Sequence, residues 1–448
     1  MKRNTFLLII AVVFILAPTV VMAGDPTYAN VQDWGAVGDG IADDTIAIRN
    51  CINANTHVYF PPGTYRLTEK IVVMWGRTIV GVENSPESVV LKLDGDFRAF
   101  ELQLGTVMRD LTLDRTTENN TEYCILAINN NIVLERLHIL NHRSHLPAIM
   151  AHTKNNIHVR SCYIENYTKW WDDGRGEGVF GVGIRFRLCV DSSIKDNVIV
   201  DYQDWPLPNN WQSGAIEVSD SVDSIVSGNY IYQSGDGAID AGGATNISIV
   251  NNRIDNVYIV AIKLVNGTSG CVVSGNEISR CGLAGIWLTP GSPGPAKGAI
   301  HSNIISNNSV RNIGYGVGQG QWIVPGRRPS AILLDGDHES ADYVTRDNEV
   351  FNNRVYNSPE LITGVFEDIN WPFNPYNNVF SGNITLDRAN IDGVGKVDLN
   401  DFAILARAWQ SQVGDENWNF SADISIPPDE VIGFGDLLQL ISAWLSSD

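Results

Sequence analysis

The chain has 448 residues, 44% of them hydrophobic, and carries 51 acidic against 31 basic side chains, a net charge of −20. That length accommodates one large domain and a small one, and so acidic a balance argues against nucleic acid as a partner. Six cysteines are too few for a disulfide scaffold in a chain this long; Cys271 and Cys281 either pair or stay as buried thiols.

Lys2 and Arg3 precede an apolar run from Phe6 to Pro18, and Val21-Met22-Ala23 is a small-residue cleavage pattern. Residues 1–23 therefore read as a secretory signal peptide. The run is short for a membrane span, and no later segment is apolar enough to be one. The mature chain is expected to be secreted, periplasmic or on the cell surface, with no transmembrane segment. Asp44-Thr45 predicts the cap of a short helix running to about Ala54. HVYFPPGTYRL from His57 predicts a strand, a proline turn and another strand.

The middle of the chain is repetitive. An apolar, variable, apolar pattern followed by a spaced asparagine recurs in DSIVSGNYI at Asp223, NISIVNNRI at Asn246, GCVVSGNEI at Gly270 and NNVFSGNIT at Asn377. The repeated asparagines are taken as Asn197, Asn229, Asn252, Asn276, Asn308, Asn348 and Asn383, with Leu111, Leu137 and Cys162 in the equivalent earlier place. The steps from Asn229 to Asn252 and on to Asn276 are 23 and 24 residues. A period of that size means short strands stacked as an all-β solenoid. An asparagine repeated at one bend satisfies turn amides that burial would leave unpaired. The helix near Ala54 is expected to cover the solenoid's open end, which otherwise exposes core and strand edges.

A second motif keeps the same order: VGIRF, GAIEV, GAIDA, VAIKL and AGIWL, beginning at Val182, Gly214, Gly237, Val260 and Ala284. The residues after the isoleucines are Arg185, Glu217, Asp240, Lys263 and Trp287. On adjacent strands these side chains form a column spaced by about 4.8 Å. Like charges on adjacent rungs, Glu217 beside Asp240, are unfavourable as a mere salt-bridge ladder and point to a reaction site. Longer insertions rich in aromatics and charge, WWDDGRGEG from Trp170, DYQDWPLPNNW from Asp201 and GYGVGQGQWIVPGRRP from Gly314, are expected to wall this face. Trp205, Trp211 and Asp236 join Trp287 as candidates for substrate binding. The acidic group Asp335, Asp337, His338 and Glu339 reads as solvated.

The string VQDWGAVGDGIADDTIAI from Val31, followed by VYFPPGTY from Val58, resembles the opening segment of the pectate-lyase superfamily. The resemblance runs to about Leu386 and implies a right-handed parallel β-helix over residues 24–386, exported and acting on polysaccharide. That superfamily includes polysaccharide lyases, glycoside hydrolases, uronate epimerases and tailspikes.

The composition changes after Leu386. NIDGVGKVDLND from Asn390 has the spacing of a calcium loop, with Asn390, Asp392, Asp398 and Asp401 as ligands, Lys396 giving its carbonyl, and no ligand at Val394. A divergent second copy offers Asp423, Ser425, Asp429 and Asp436. An amphipathic helix follows each loop. Residues 387–448 thus resemble a bacterial dockerin type I repeat. The resemblance implies a small α-helical, calcium-binding module and a cohesin-like or surface docking partner.

Three reactions remain open for the column. β-Elimination from a uronate needs a neutralised carboxylate, a base and a stabilised leaving oxygen. The family resemblance implies Lys263 as base and calcium at Glu217 and Asp240, with Arg185 gripping a substrate carboxylate. Glycoside hydrolysis needs two carboxyl groups, for which Glu217 and Asp240 are candidates. Uronate epimerisation shares proton abstraction with elimination. The motifs of the superfamily's pectin hydrolases are incomplete: Gly235-Asp236-Gly237 has one aspartate, Ala261-Ile262-Lys263 lacks the arginine, and there is no Gly-His-Gly. Elimination from an acidic polysaccharide is the leading expectation. A glycan-binding or structural β-helix is the non-enzymatic alternative.

Overall fold

The computed structural model describes residues 27–117, 120–172, 177–202, 211–291, 298–314, 329–337, 339–357, 363–367, 371–393, 396–415, 417–425 and 428–446. The predicted signal segment lies outside them.

Short parallel strands stack coil upon coil from Ala29 to Asp387. Among the described residues one sheet runs in chain order from Ile71–Val73 to Thr363–Glu367, and a second, 24-stranded sheet supplies the other walls. The alternation of the strand explains the packing. Ile149, Ile184, Ile216, Ile239, Ile262, Ile286 and Ile332 are register partners from coil to coil. All are fully buried, each contributing about 1.5–3 kcal/mol. The next residue of each strand points outward, which creates the functional column.

Asparagines hold the bends. Asn197, Asn229, Asn252 and Asn276 each accept, through Oδ1, the backbone N–H of the preceding coil's equivalent residue at 2.9–3.0 Å. Asn308 accepts from Asn276, but the next rung is Asn353, not Asn348. Asn348 belongs to a second ladder at the other end of the same short strand, which runs Asn303, Asn348, Asn378. Two bends five residues apart both select asparagine in the late coils, so spacing alone confuses them. In the earlier coils serine and cysteine hold that second bend.

The predicted helix spans Thr45–Ala54 and buries Ile48, Cys51 and Ile52 against the first coil. Its capping differs from expectation. Asp43 accepts the Thr45 N–H at 3.0 Å, while Asp44 turns back to the amides of Val37 and Gly38. All six cysteines are free and buried, so Cys271 and Cys281 are thiols. Among the described residues no helix is long and apolar enough to cross a membrane. Beyond the solenoid, helices Leu399–Arg407 and Phe434–Ser446 share a separate apolar cluster that includes Ile391, Leu405, Phe420 and Leu440.

Candidate active site

Arg185 is register partner of Glu217, Glu217 of Asp240, Asp240 of Lys263 and Lys263 of Trp287. The five side chains therefore stand on successive coils of one face, as the repeated segments predict. Arg185 and Glu217 form an ion pair. Lys263 Nζ lies 2.7 Å from Asp236 Oδ2 and 3.7 Å from Asp240 Oδ2. Asp236 reaches the cluster from the turn before Gly237–Gly242, where its N–H donates to the Ser213 carbonyl at 3.0 Å.

The side chains of Lys263 and Asp240 are only 14% and 21% exposed, and this burial sets the electrostatics. Burial pushes the Asp240 carboxyl up to about 7; the charges of Asp236 and Glu217 push the same way, and Lys263 opposes them. For Lys263 burial works against the charge, but Asp240 and Asp236 outweigh it and hold its pKa above the ordinary lysine value. The cluster thus keeps a proton on the lysine and offers a carboxyl that titrates near neutrality.

Residues 28–287 match the family model described as rhamnogalacturonase A/epimerase, pectate lyase-like. The chain belongs to this family. Its solenoid resembles the mannuronan C-5 epimerase AlgE6 A-module of Azotobacter vinelandii with a TM-score of 0.51 and 16% identity, over 80% of this chain and 99% of that one. This likeness supports a right-handed parallel β-helix. Among curated proteins, mannuronan C5-epimerase AlgE6 of A. vinelandii is 31% identical over 115 residues, which is 21% of this chain and 13% of the relative. A capsule K30/K69-specific depolymerase of Klebsiella phage K64-1 is 24% identical over 294 residues, 64% of this chain and 35% of the relative. The chain thus spans much less than half the length of either curated relative.

In this pectate-lyase-like solenoid the walls of the column are partly visible. Trp287 Nε1 donates to Asp335 Oδ2 at 2.8 Å. Asp335 and Asp337 are buried, which corrects the solvated reading for these two; Glu339 is exposed, and His338 lies outside the described residues. The error arose because a run of acids near Gly336 looks like a surface loop, whereas Ser330–Leu334 is a buried rung that carries Asp335 inward beside Trp287. Lys169–Asp172 is not a loop but a strand antiparallel to Glu177–Arg187. Trp170 and Trp287 pack on an apolar cluster of Val179, Tyr258, Leu283 and Leu333 outside the solenoid core. Tyr258 and Leu283 occupy the corners before the Lys263 and Trp287 rungs, and no sequence signal singled them out. Trp205 lies outside the described residues, and Trp211 opens the strand Trp211–Ser219 as register partner of Val179.

The two loops of the C-terminal module are built alike. Asp401 Oδ1 accepts the Asp392 N–H at 3.0 Å and Oδ2 the Asp398 N–H at 2.7 Å. Asp436 Oδ1 accepts from Ser425 at 2.8 Å and Oδ2 from Gly433 at 2.8 Å. Asp401 thus matches Asp436, Asp392 matches Ser425, and Asn390 matches Asp423. Asp398 also caps the helix Leu399–Arg407 through the Asn400 N–H. In the second loop, carboxylate oxygens of Asp423, Asp429 and Asp436 all lie within 4.8 Å of one another. Lys396 is described next to residues 394–395, which lie outside the described set.

Proposed function

We propose that this chain is an exported enzyme that hydrolyses glycosidic bonds of a polysaccharide, with Asp240 as general acid and Glu217 as the second carboxyl group. The observation that carries this reading is the pairing of Glu217 and Asp240 on adjacent rungs, with Asp240 titrating near 7 beside a protonated Lys263. A carboxyl that holds a proton near neutrality beside a second carboxyl suits acid-assisted glycoside cleavage. Strands about 4.8 Å apart suit the short carboxyl separation, about 5–5.5 Å, of retaining chemistry. Asp240 would give its proton to the leaving oxygen while Glu217 attacks the anomeric carbon. Water would then displace Glu217 from that carbon, returning a proton to Asp240. Lys263 offsets the charge that Asp240 acquires in the first step, and Trp287 offers a ring face to a sugar.

Elimination is the second reading, supported by two cations on one column and by the name of the epimerase relative. It asks Lys263 to act as a neutral base, and the two aspartates that raise its pKa disfavour this. The same cations argue against calcium at Glu217 and Asp240, because Arg185 and Lys263 already supply the positive charge. A polysaccharide panel including pectate and alginate separates the reactions. New reducing ends without ultraviolet absorbance support hydrolysis. Absorbance from unsaturated ends would overturn it in favour of elimination.

Calcium fits the C-terminal loops better. The second loop brings three carboxylates together, and burial raises two of them, Asp423 and Asp436, above the usual carboxylate range. Asn390, Asp392, Asp398, Asp401 and the Lys396 carbonyl would hold a first ion, and Asp423, Ser425, Asp429 and Asp436 a second. Calcium there would bind as a structural ion. The exposed apolar residues Leu399, Phe402, Phe434, Leu438 and Leu445 on the two helices suit a cohesin-like partner.

A further inference from the structure

The C-terminal module does not stand clear of the solenoid. Its residues Phe420, Ser421, Asp423 and Glu430 meet a flank where successive coils present Arg253, Arg280 and Arg311. Arg253 stacks on the Phe420 ring at 4.3 Å. Arg311 donates to the Ser421 carbonyl at 2.9 Å, and Asn312 Nδ2 to the Asp423 carbonyl at 3.4 Å. Arg280 is the centre of the contact. It binds Asp255 through two hydrogen bonds of 2.8 and 2.5 Å, and Glu430 through Nη1 at 2.8 Å.

The side chains of Asp255 and Arg280 are 0% and 3% exposed. A buried bidentate pair of this kind leaves guanidinium hydrogens to satisfy, and Glu430 accepts one. Glu430 itself adopts the left-handed conformation at φ 65°, which a side-chain-bearing residue keeps only where its surroundings enforce it. Its backbone N–H donates to Asp423 Oδ2 at 3.1 Å. Glu430 therefore joins the module's second loop to the solenoid, beside the Asn312 contact to Asp423.

The place of this contact gives it meaning. Asp255 is the middle residue of the flank strand Arg253–Val257, and after a two-residue corner the strand Val260–Val265 carries Lys263. One coil later Arg280 stands one residue past Ser279, the register partner of Asp255, ahead of Ala284–Thr289 with Trp287. The Asp255–Arg280–Glu430 group thus ties together the two corners that present Lys263 and Trp287. We propose that the C-terminal module is an intramolecular buttress, docked through Glu430 and Arg280, that fixes the Lys263 and Trp287 rungs relative to one another. Its catalytic meaning rests on the reading of the column as the reaction site; the structural coupling does not.

The test is hydrogen exchange of the full chain in saturating calcium, comparing wild type with Glu430→Gln and, separately, Arg311→Gln. Glu430 is half-exposed, so its variant keeps the fold. The expected result is faster exchange, by about fivefold or more, in segments 253–264 and 277–288 as well as 420–432, with segments 100–151 unchanged. Faster exchange confined to 420–432 overturns the buttress while leaving the module docked. No change in any segment shows that the contact carries no stability in solution, and uniform loosening shows that it is not local; either overturns the proposal. None of these outcomes depends on activity, so failure of the hydrolytic reading is recognised separately in the polysaccharide assay.

Discussion

Lys263 Nζ is 1.0 Å closer to Asp236 Oδ2 than to Asp240 Oδ2, at 2.7 against 3.7 Å. Asp236 thus takes the shorter contact with the lysine, while burial outweighs the lowering effect of Lys263 on Asp240, which keeps its proton to about 7. Asp236→Asn removes a negative charge from beside Asp240 and frees Lys263 to turn toward it. Both effects lower the Asp240 pKa. The basic limb of the kcat/KM profile is expected to move to lower pH by about one unit. An unmoved limb would assign that limb to another group.

Asp240→Asn is expected to reduce kcat by about 10²–10⁴-fold and at the same time to stabilise the fold above neutrality. The folded-state pKa of Asp240 lies above its ordinary value of 3.8. Between about pH 4 and 7 the native state holds a proton that the unfolded chain releases, so stability from this group falls as pH rises and is lowest above 7. Urea unfolding at pH 5 and pH 8 checks the sign. The stability advantage of the variant over wild type should be larger at pH 8 than at pH 5. Loss of stability in the variant at pH 8 would contradict the raised pKa.

Trp287 is held at its rung by Asp335 and lies with Lys263 Nζ 5.9 Å from its ring centroid. If its face carries a sugar, Trp287→Ala should raise KM by about tenfold, equivalent to 1–2 kcal/mol of lost contact, with a smaller change in kcat. Steady-state kinetics on the first cleaved substrate decides it. A pure kcat effect would place Trp287 in the chemistry instead.

The asparagine ladder is expected to dominate stability. Asn252 Nδ2 donates to the Val226 carbonyl at 3.0 Å and to Asn276 Oδ1 at 3.0 Å, and its Oδ1 accepts from Asn229. Asn252→Ala leaves several buried polar groups unsatisfied at once and should cost about 3 kcal/mol or more. Denaturant unfolding measures it, and a cost below about 1 kcal/mol would mean that water replaces the ladder.

Calcium removal should act on the module first. With calcium at a hundred times its Kd the module gains about 2.7 kcal/mol, which chelation would abolish. Asp436→Ala should produce the same low-melting transition with calcium present, since Asp436 also holds the amides of Ile424 and Gly433. Calorimetry in calcium and in chelator is the measurement. Identical traces would remove the ion from this account.

The register of the column was legible in sequence because a parallel coil preserves the offset from each buried isoleucine to the residue after it. Arg185 to Trp287 followed directly from that offset. The role of Asp236 in holding Lys263 was not legible, because it depends on a turn's approach and not on strand register. Asp335 was misread for a related reason: acids in a run look exposed until the rung that buries them is placed. Asn348 was assigned to the wrong ladder because two bends on one strand share a residue preference. The contact between Glu430 and Arg280 joins positions 150 residues apart with no periodic relation, and no pattern along the chain announces it.

The even step from coil to coil has an evolutionary consequence. Each coil contributes one outward residue to the column and one isoleucine to the core, and the two point in opposite directions. A point mutation can therefore change the chemistry at one rung without disturbing the core beneath it. A frame of this kind separates the part of each coil that holds the fold from the part that meets substrate, so the outer row is free to vary in sequence while the inner row is not.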